Sequence, residues 1–312
     1  MNELVRDKYE NPKYRPFQTC NEKGFFNGIS IKKTPYKNEE SENSLMFDGE
    51  PETAIRNAFK ITDSFFSQSF REACSGDGME KKRIATLHSS SLLSLLFFHT
   101  VNNENAIQID CGKGTKGYFT GKKFEHQNEI KPGHCSNIDV KLNDNKNKIT
   151  LFLESKYSEY LSNGKYSGIS NEVYLDYYKD ILQILEQIGL TIRQKDDQSF
   201  DLCARKGYTK HYAGGIKQMI SHWIGAISYA HLHEDETVRL GEIVYDFGNE
   251  QSKSLERYEN DYAILAGGLN NSRFTPKNLL VLPQLMTYQS LYIANPGYKI
   301  LSRIEEYYDF KR

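Results

Sequence analysis

The segment SNIDVKLNDNKNKITLFLESKY, residues 136–157, constrains the fold more than any other stretch. Two runs of alternating apolar residues flank a polar turn at residues 143–148. In a strand, successive side chains point to opposite faces. Ile138, Val140 and Leu142 therefore share one face of the first strand, and Asp139 and Lys141 take the other. Leu151 and Leu153 share one face of the second, with Phe152, Glu154 and Lys156 opposite. A hairpin centred between Lys146 and Asn147 sets Val140 against Leu153 and Leu142 against Leu151. The same register brings Asp139 opposite Glu154, with Cβ atoms roughly 4.5–5.5 Å apart. A slip of one residue in either strand sends its carboxylate to the wrong face.

The other elements follow from periodicity. Ala54, Ala58, Ile61, Phe65, Phe66 and Phe70 form a helical stripe from Pro51 that ends at residues 75–78. Residues 88–102, HSSSLLSLLFFHTVN, are apolar around most of a helix and belong in an interior, against a sheet. Residues 106–110 fit a short strand. Residues 171–188 form an amphipathic helix through Tyr174, Tyr178, Ile181, Leu182, Leu185 and Ile188, and Gly189 suits its stop. Residues 215–230 form a second, with Lys217, Gln218, Ser221 and His222 on its polar side. Residues 238–247 fit a buried strand, and further helical and strand-like pieces occupy residues 255–265 and 279–292.

Composition narrows the function classes. The chain has 40 basic and 41 acidic side chains and a formal net charge of −1, unlike a nucleic-acid coat protein. A local basic cleft is compatible with that balance. Five scattered cysteines without a CxxC pair fit reduced thiols. His134 and Cys135 lie near Asp139, but no second paired cluster supports zinc. The polar N-terminus lacks a signal core, and the apolar run 92–98 is too short to cross a bilayer. A cytoplasmic protein without membrane association is the expectation.

A buried helix, a strand, a strand with Asp139, a strand with Glu154-Ser155-Lys156, a helix with Gln218 and a final strand follow in order. That order resembles the PD-(D/E)xK nuclease superfamily, in its bacterial restriction-endonuclease-like branch. Ile138 stands where the name-giving proline would be. The resemblance implies an α/β fold: a restriction-endonuclease-like mixed β-sheet core flanked by helices, with N- and C-terminal additions. The expected boundaries are 1–84 for a polar and helical N-terminal extension, 85–248 for the nuclease core, and 249–312 for a C-terminal extension packed on the core.

The implied activity is that of a Mg²⁺-dependent, restriction-type endonuclease acting on DNA, with Mn²⁺ able to substitute. Asp139 and Glu154 are hard oxygen ligands suited to Mg²⁺, and Ser155 would add its carbonyl. Lys156 would orient the nucleophile and offset charge on the phosphate. Gln218 would support the site, with His222 and Lys217 as further candidates. Lys113, Lys116, Lys122 and Lys123 are candidates for phosphate contacts. Restriction enzymes often act as dimers, so a homodimer is a further expectation.

Rival readings stay open. An E-x-K on a strand is commonly a solvated face. Gln218 reads equally as helix decoration, and His222 as a structural histidine beside Trp223. An RNA or repair-type nuclease on the same fold is one alternative. A non-catalytic nucleic-acid-binding module on the same scaffold is another. A glycosidase using the two carboxylates fits less well, because Lys156 on the same face opposes a raised acid pKa.

Overall fold

The turn after Asp144 organises the sheet. The Asp144 carboxylate accepts from the Asn147 amide at 3.0 Å and from the Asn147 side chain at 2.7 Å, and Lys148 takes a left-handed φ of 52°. The chain reverses there in the register that the apolar alternation requires: Val140 opposite Leu153 and Leu142 opposite Leu151. The structure is a computed structural model that describes residues 12–33, 45–76, 83–161, 166–171, 174–196, 199–205 and 213–311.

The elements in chain order begin with α1 (Arg15–Glu22), β1 (Ile31–Lys33), β2 (Leu45–Phe47), α2 (Pro51–Phe59), α3 (Phe66–Ala73) and α4 (Ser90–Phe98). A hairpin of β3 (Ile107–Asp110) and β4 (Lys116–Phe119) leads into β5 (Gly121–Lys131), β6 (His134–Asp144) and β7 (Ile149–Lys156). Then come β8 (Tyr166–Asn171), α5 (Leu175–Asp180), α6 (Leu182–Gln187), β9 (Leu190–Asp196), β10 (Ser199–Ala204) and α7 (Ala213–Leu232). The chain continues through β11 (Thr237–Val244), α8 (Ser252–Asn271), β12 (Leu279–Val281), β13 (Met286–Thr287), α9 (Tyr288–Ile293) and α10 (Ser302–Tyr308).

The main sheet has the order β12-β11-β7-β6-β5, with β13 also paired to β11. β5, β6 and β7 run antiparallel, whereas β11 joins β7 in parallel. A parallel neighbour needs a crossover, and the segment carrying α7 supplies it. The result is a mixed α/β sheet with helices on both faces. Among the described residues, no helix is long and apolar enough to cross a membrane.

Two apolar clusters cover the sheet. On one face α4 contributes Leu92, Leu93, Leu95, Leu96, Phe97 and Phe98, packed with Val140, Leu142, Leu151 and Leu153. Ser89 starts this helix by accepting from the Leu92 amide at 3.0 Å. On the other face Trp223 and Ile220 of α7 and Tyr262 and Leu265 of α8 join Ile138, Phe152 and Leu240. Phe17, Phe25 and Phe47 near one end of the chain, and Tyr307 and Phe310 near the other, belong to the first cluster.

Two expected helices are divided. The stripe from Ala54 to Phe70 breaks after α2, where Lys60 adopts a left-handed φ of 54°. Arg56 holds the break by donating to the Ile61 carbonyl at 3.1 Å and the Asp63 carbonyl at 3.0 Å, and Phe65 is left exposed. The helix expected over 171–188 divides at Ile181 into α5 and α6. Tyr178, Ile181 and Leu185 still enter one cluster, so the break costs little burial. The charged residues 37–42 and the turn at 77–78 lie outside the described residues.

α7 approaches the sheet closely at Gly225. A Cβ there would lie 2.8 Å from the Ser136 Cβ and 3.1 Å from the Asn128 Cβ. Alanine favours a helix over glycine by about 1 kcal/mol, but overpacking costs about 1–3 kcal/mol. Gly225→Ala is therefore expected to lower the urea midpoint; a raised midpoint would contradict this packing.

His99 follows α4 and is buried, with Nδ1 3.0 Å from the Leu96 carbonyl and its ring edge-on to Phe66. Burial pulls its pKa down from 6.5 to about 4. The unfolded chain thus binds this proton at a higher pH than the fold does. Stability should fall by up to ~3 kcal/mol as pH drops from about 6.5 to about 4. His99→Phe, which cannot be protonated, should flatten that part of the profile in urea titrations at stepped pH. An unchanged slope would show that His99 does not carry it.

Candidate active site

β7 carries the centre of the site. Glu154 and Lys156 are both buried on its α7 side, and the Lys156 ammonium contacts Glu154 Oε1. It also donates to Gln218 Oε1 at 2.8 Å. Gln218 is itself exposed, so this contact lies where the site meets solvent. One turn further along α7, His222 Nε2 stands 2.7 Å from Glu154 Oε2, at charge-pair distance but outside hydrogen-bonding angles. The other ring nitrogen, Nδ1, is 2.6 Å from Ser136 Oγ on β6. Helical spacing puts Gln218 and His222 on one line of α7, and both reach the Glu154-Lys156 pair.

Asp139 reaches β7 by leaving its ladder. The β6–β7 pairing ends at Val140↔Leu153, and no Asp139↔Glu154 backbone pair forms. Asp139 Oδ2 instead accepts from the Ser155 amide at 2.7 Å. The faces of β6 exchange at this point. Ser136 touches His222 of α7, and Ile138 enters the α7-side cluster. Beyond Asp139, Val140 and Leu142 enter the α4-side cluster, and Lys141 takes the α7 side, donating to Tyr229 Oη at 3.1 Å. The shared face expected for Ile138, Val140 and Leu142 is corrected accordingly. β5 turns over beside it. Phe124 packs in the α4-side cluster, whereas His126 stacks on Phe152. Between them Glu125 has a φ of 45°.

Burial, then the charges on Glu154 and Glu125, hold the Asp139 carboxyl well above the usual carboxylate range. Burial would raise Glu154 too, but Lys156 and His222 outweigh it and hold that carboxyl below its ordinary value. A third acid, Glu242, pairs with Glu154 across the β7–β11 ladder and is fully buried. Burial pushes its carboxyl up to about 7. Glu125, Asp139, Glu154 and Glu242 thus stand on neighbouring strands, with the Lys156 ammonium among them.

The donor set fits a hard divalent cation. Among the described residues no group of three His, Cys, Asp or Glu side chains is placed to hold an ion unaided. An ion here would draw on Asp139, Glu154 and the Ser155 carbonyl, with water and phosphate completing its shell, as Mg²⁺ commonly does. The repulsion that Asp139 feels from Glu154 and Glu125 would be relieved by such an ion. The Ser155 side chain plays another part: its Oγ is 2.7 Å from Tyr288 Oη and donates to the Ser90 carbonyl at 3.2 Å.

The remaining candidates are placed differently. Lys217 is half-buried on α7 next to Gln218, and burial lowers its pKa. Lys122 is half-buried and donates to the Val101 carbonyl at 2.9 Å, away from the acids. Lys113 and Lys116 are exposed on the β3–β4 hairpin. That hairpin adjoins the early part of β11, where Arg239 binds the Cys111 carbonyl at 2.6 Å. Lys123 is exposed and pairs with Lys141 across the β5–β6 ladder. These four lysines are not gathered around Glu154. Ser136, Glu125 and Glu242 were not legible as site residues. Only Glu242 carried a signal, an acid inside the apolar run VRLGEIVYDF.

This sheet, with an acid and an E-x-K on adjacent strands and a helix that sets Gln218 and His222 against them, defines a restriction-endonuclease-like protein. A family model described as "Restriction Endonuclease associating with ARP" matches residues 26–209, more than half of the chain. The chain belongs to that family. The match includes Asp139, Glu154, Ser155 and Lys156 and stops before Gln218. No curated protein and no solved structure matches the chain.

The ion-pair geometry makes a stability prediction. Removing one partner of a buried pair costs about 3–5 kcal/mol, because the other charge is left uncompensated. Lys156→Met should destabilise the protein on that scale, and adding Glu154→Gln should recover much of the loss. Urea unfolding of the single and double variants tests this. A single-variant loss within error of zero would mean Glu154 does not depend on Lys156.

Proposed function

We propose that the protein is a Mg²⁺-dependent endonuclease that hydrolyses DNA phosphodiester bonds, of restriction type. The observation that carries the reading is the convergence of Asp139, Glu154, Lys156 and Gln218. They come from three separate elements: Lys156 contacts both Glu154 and Gln218, and Asp139 is tied to the same strand through the Ser155 amide. A solvated E-x-K would leave Lys156 in water; here it is buried beside an acid.

Each group has a definite task. Asp139 and Glu154 would hold the cation, and Asp139 is fixed by the Ser155 amide. When bound, Mg²⁺ would polarise the scissile phosphate. Lys156 faces the same place with a positive charge that offsets the charge growing on the phosphate oxygens. Gln218 holds the ammonium from the exposed side and limits its swing. His222, anchored by Ser136, steadies Glu154 from behind. Water attacks phosphorus and releases a proton to solvent, the bond to one ester oxygen breaks, and that oxygen takes a proton from solvent as it leaves.

Supercoiled plasmid nicking with Mg²⁺ tests the reading. Asp139→Ala and Lys156→Ala are each expected to slow nicking by about a hundredfold or more, the scale of losing one transition-state contact. Both variants cutting at the wild-type rate would sink it. The same assay on single strands and RNA separates DNA cleavage from the RNA alternative.

A further inference from the structure

Glu242 has a feature that its burial alone does not explain. Its Oε1 accepts from Tyr258 Oη at 2.7 Å. Its Oε2 is sealed from solvent and has no hydrogen-bond partner among the described residues. A buried acceptor left unsatisfied is destabilising, and replacement by an apolar residue would avoid that. The strand register places Glu242 beside Glu154, and Val244 beside Lys156. Paired residues point to the same side of a sheet, and neighbouring strands lie about 4.8 Å apart. Glu242 is therefore within the span of the Lys156 side chain.

Glu154 is fully engaged. Lys156 contacts Oε1, and His222 stands at Oε2. To turn a carboxylate oxygen toward a cation, Glu154 must release one of them. His222 is tied to Ser136. Lys156 is the longer and more flexible partner, held otherwise by Gln218. A released ammonium at this depth gains from a second carboxylate, because Gln218 accepts its hydrogen bond but offers no opposite charge.

We propose that Glu242 is a positioning residue: its unpartnered Oε2 receives the Lys156 ammonium when Glu154 turns to a divalent cation. The inference rests on the metal-dependent reading above. Glu242 then couples cation binding to the placement of the amine, so that Lys156 stays beside the phosphate once its first partner is occupied.

Calorimetric titration of Mn²⁺ into wild type, Glu242→Gln, Lys156→Met and the double variant tests this. With Lys156 present, Glu242→Gln should weaken Mn²⁺ binding on the order of tenfold, the usual scale for a supporting partner. In the Lys156→Met background it should change little, since the coupling runs through the ammonium. Wild-type affinity in Glu242→Gln overturns the proposal. So does an equal loss in both backgrounds, which would make Glu242 a structural group or a ligand in its own right. Mn²⁺ uptake by none of the four proteins overturns the metal reading and this inference together. A measurement on the wild type alone needs no variant to fold: the Glu242 carboxyl ¹³C resonance should shift when Mg²⁺ is added. A resonance that stays put counts against the proposal.

Discussion

The candidate site depends on β6 leaving its ladder at Asp139. Were the pairing to continue, the Asp139 side chain would stand upright on one face of the sheet. Instead the carboxylate lies toward β7 and takes the Ser155 amide. The same departure lets one strand serve both apolar clusters, through Ile138 on one side and Val140 on the other. The exchange has a cost beside it. Glu125 holds a left-handed conformation that disfavours a side chain by roughly 1 kcal/mol. Packing on both faces of the sheet offsets a cost of that size.

The hairpin was legible because its signal is local and doubly determined. Apolar alternation and a polar turn specify the same pairing from Val140 to Leu142, and the structure has it. The α7 helix was legible for a related reason: its apolar spacing is strict over several turns. What escaped depends on backbone behaviour that side-chain alternation does not encode. Nothing in Glu125 announces a φ of 45°, and without it the exchange at Asp139 has no cause visible in the residues. β5 itself mixes charged and apolar residues, as in GKKFEHQNEIK, and offers no clean period of two. The breaks at Lys60 and Ile181 fall between apolar residues that keep their helical spacing in the sequence, so periodicity runs straight through them even though the first break leaves Phe65 exposed. The distant meeting of β7 with β11 was also out of reach. The position of Glu242 beside Glu154 follows from the parallel register of strands far apart in the chain.

The electrostatics of the site have a common origin. Acids from adjacent strands are crowded where little water reaches, and one lysine with a histidine answers them. Such a cluster is a poor way to stabilise a fold, because buried pairs barely repay their desolvation. Clusters of perturbed acids of this kind concentrate at functional sites. The family assignment is consistent with a nuclease-like role at that coarse level. The division of labour among Asp139, Glu154 and Lys156 is the reading proposed above.

The α4 face of the sheet is closed by both distal parts of the chain. Tyr307 packs against Phe25 and Phe59, and Arg303 donates to the Ala58 carbonyl at 2.7 Å while lying over the Phe25 ring. Contacts spanning so much sequence form late, since the loops they close are long. During synthesis, α4 would be made while the layer that covers it is still incomplete. Phe310 against Phe97 is among the last pieces of that layer. The nascent chain would thus expose its greasiest helix until the segment carrying Phe310 has been made, and the acids on the opposite face would gain a rigid backing only then.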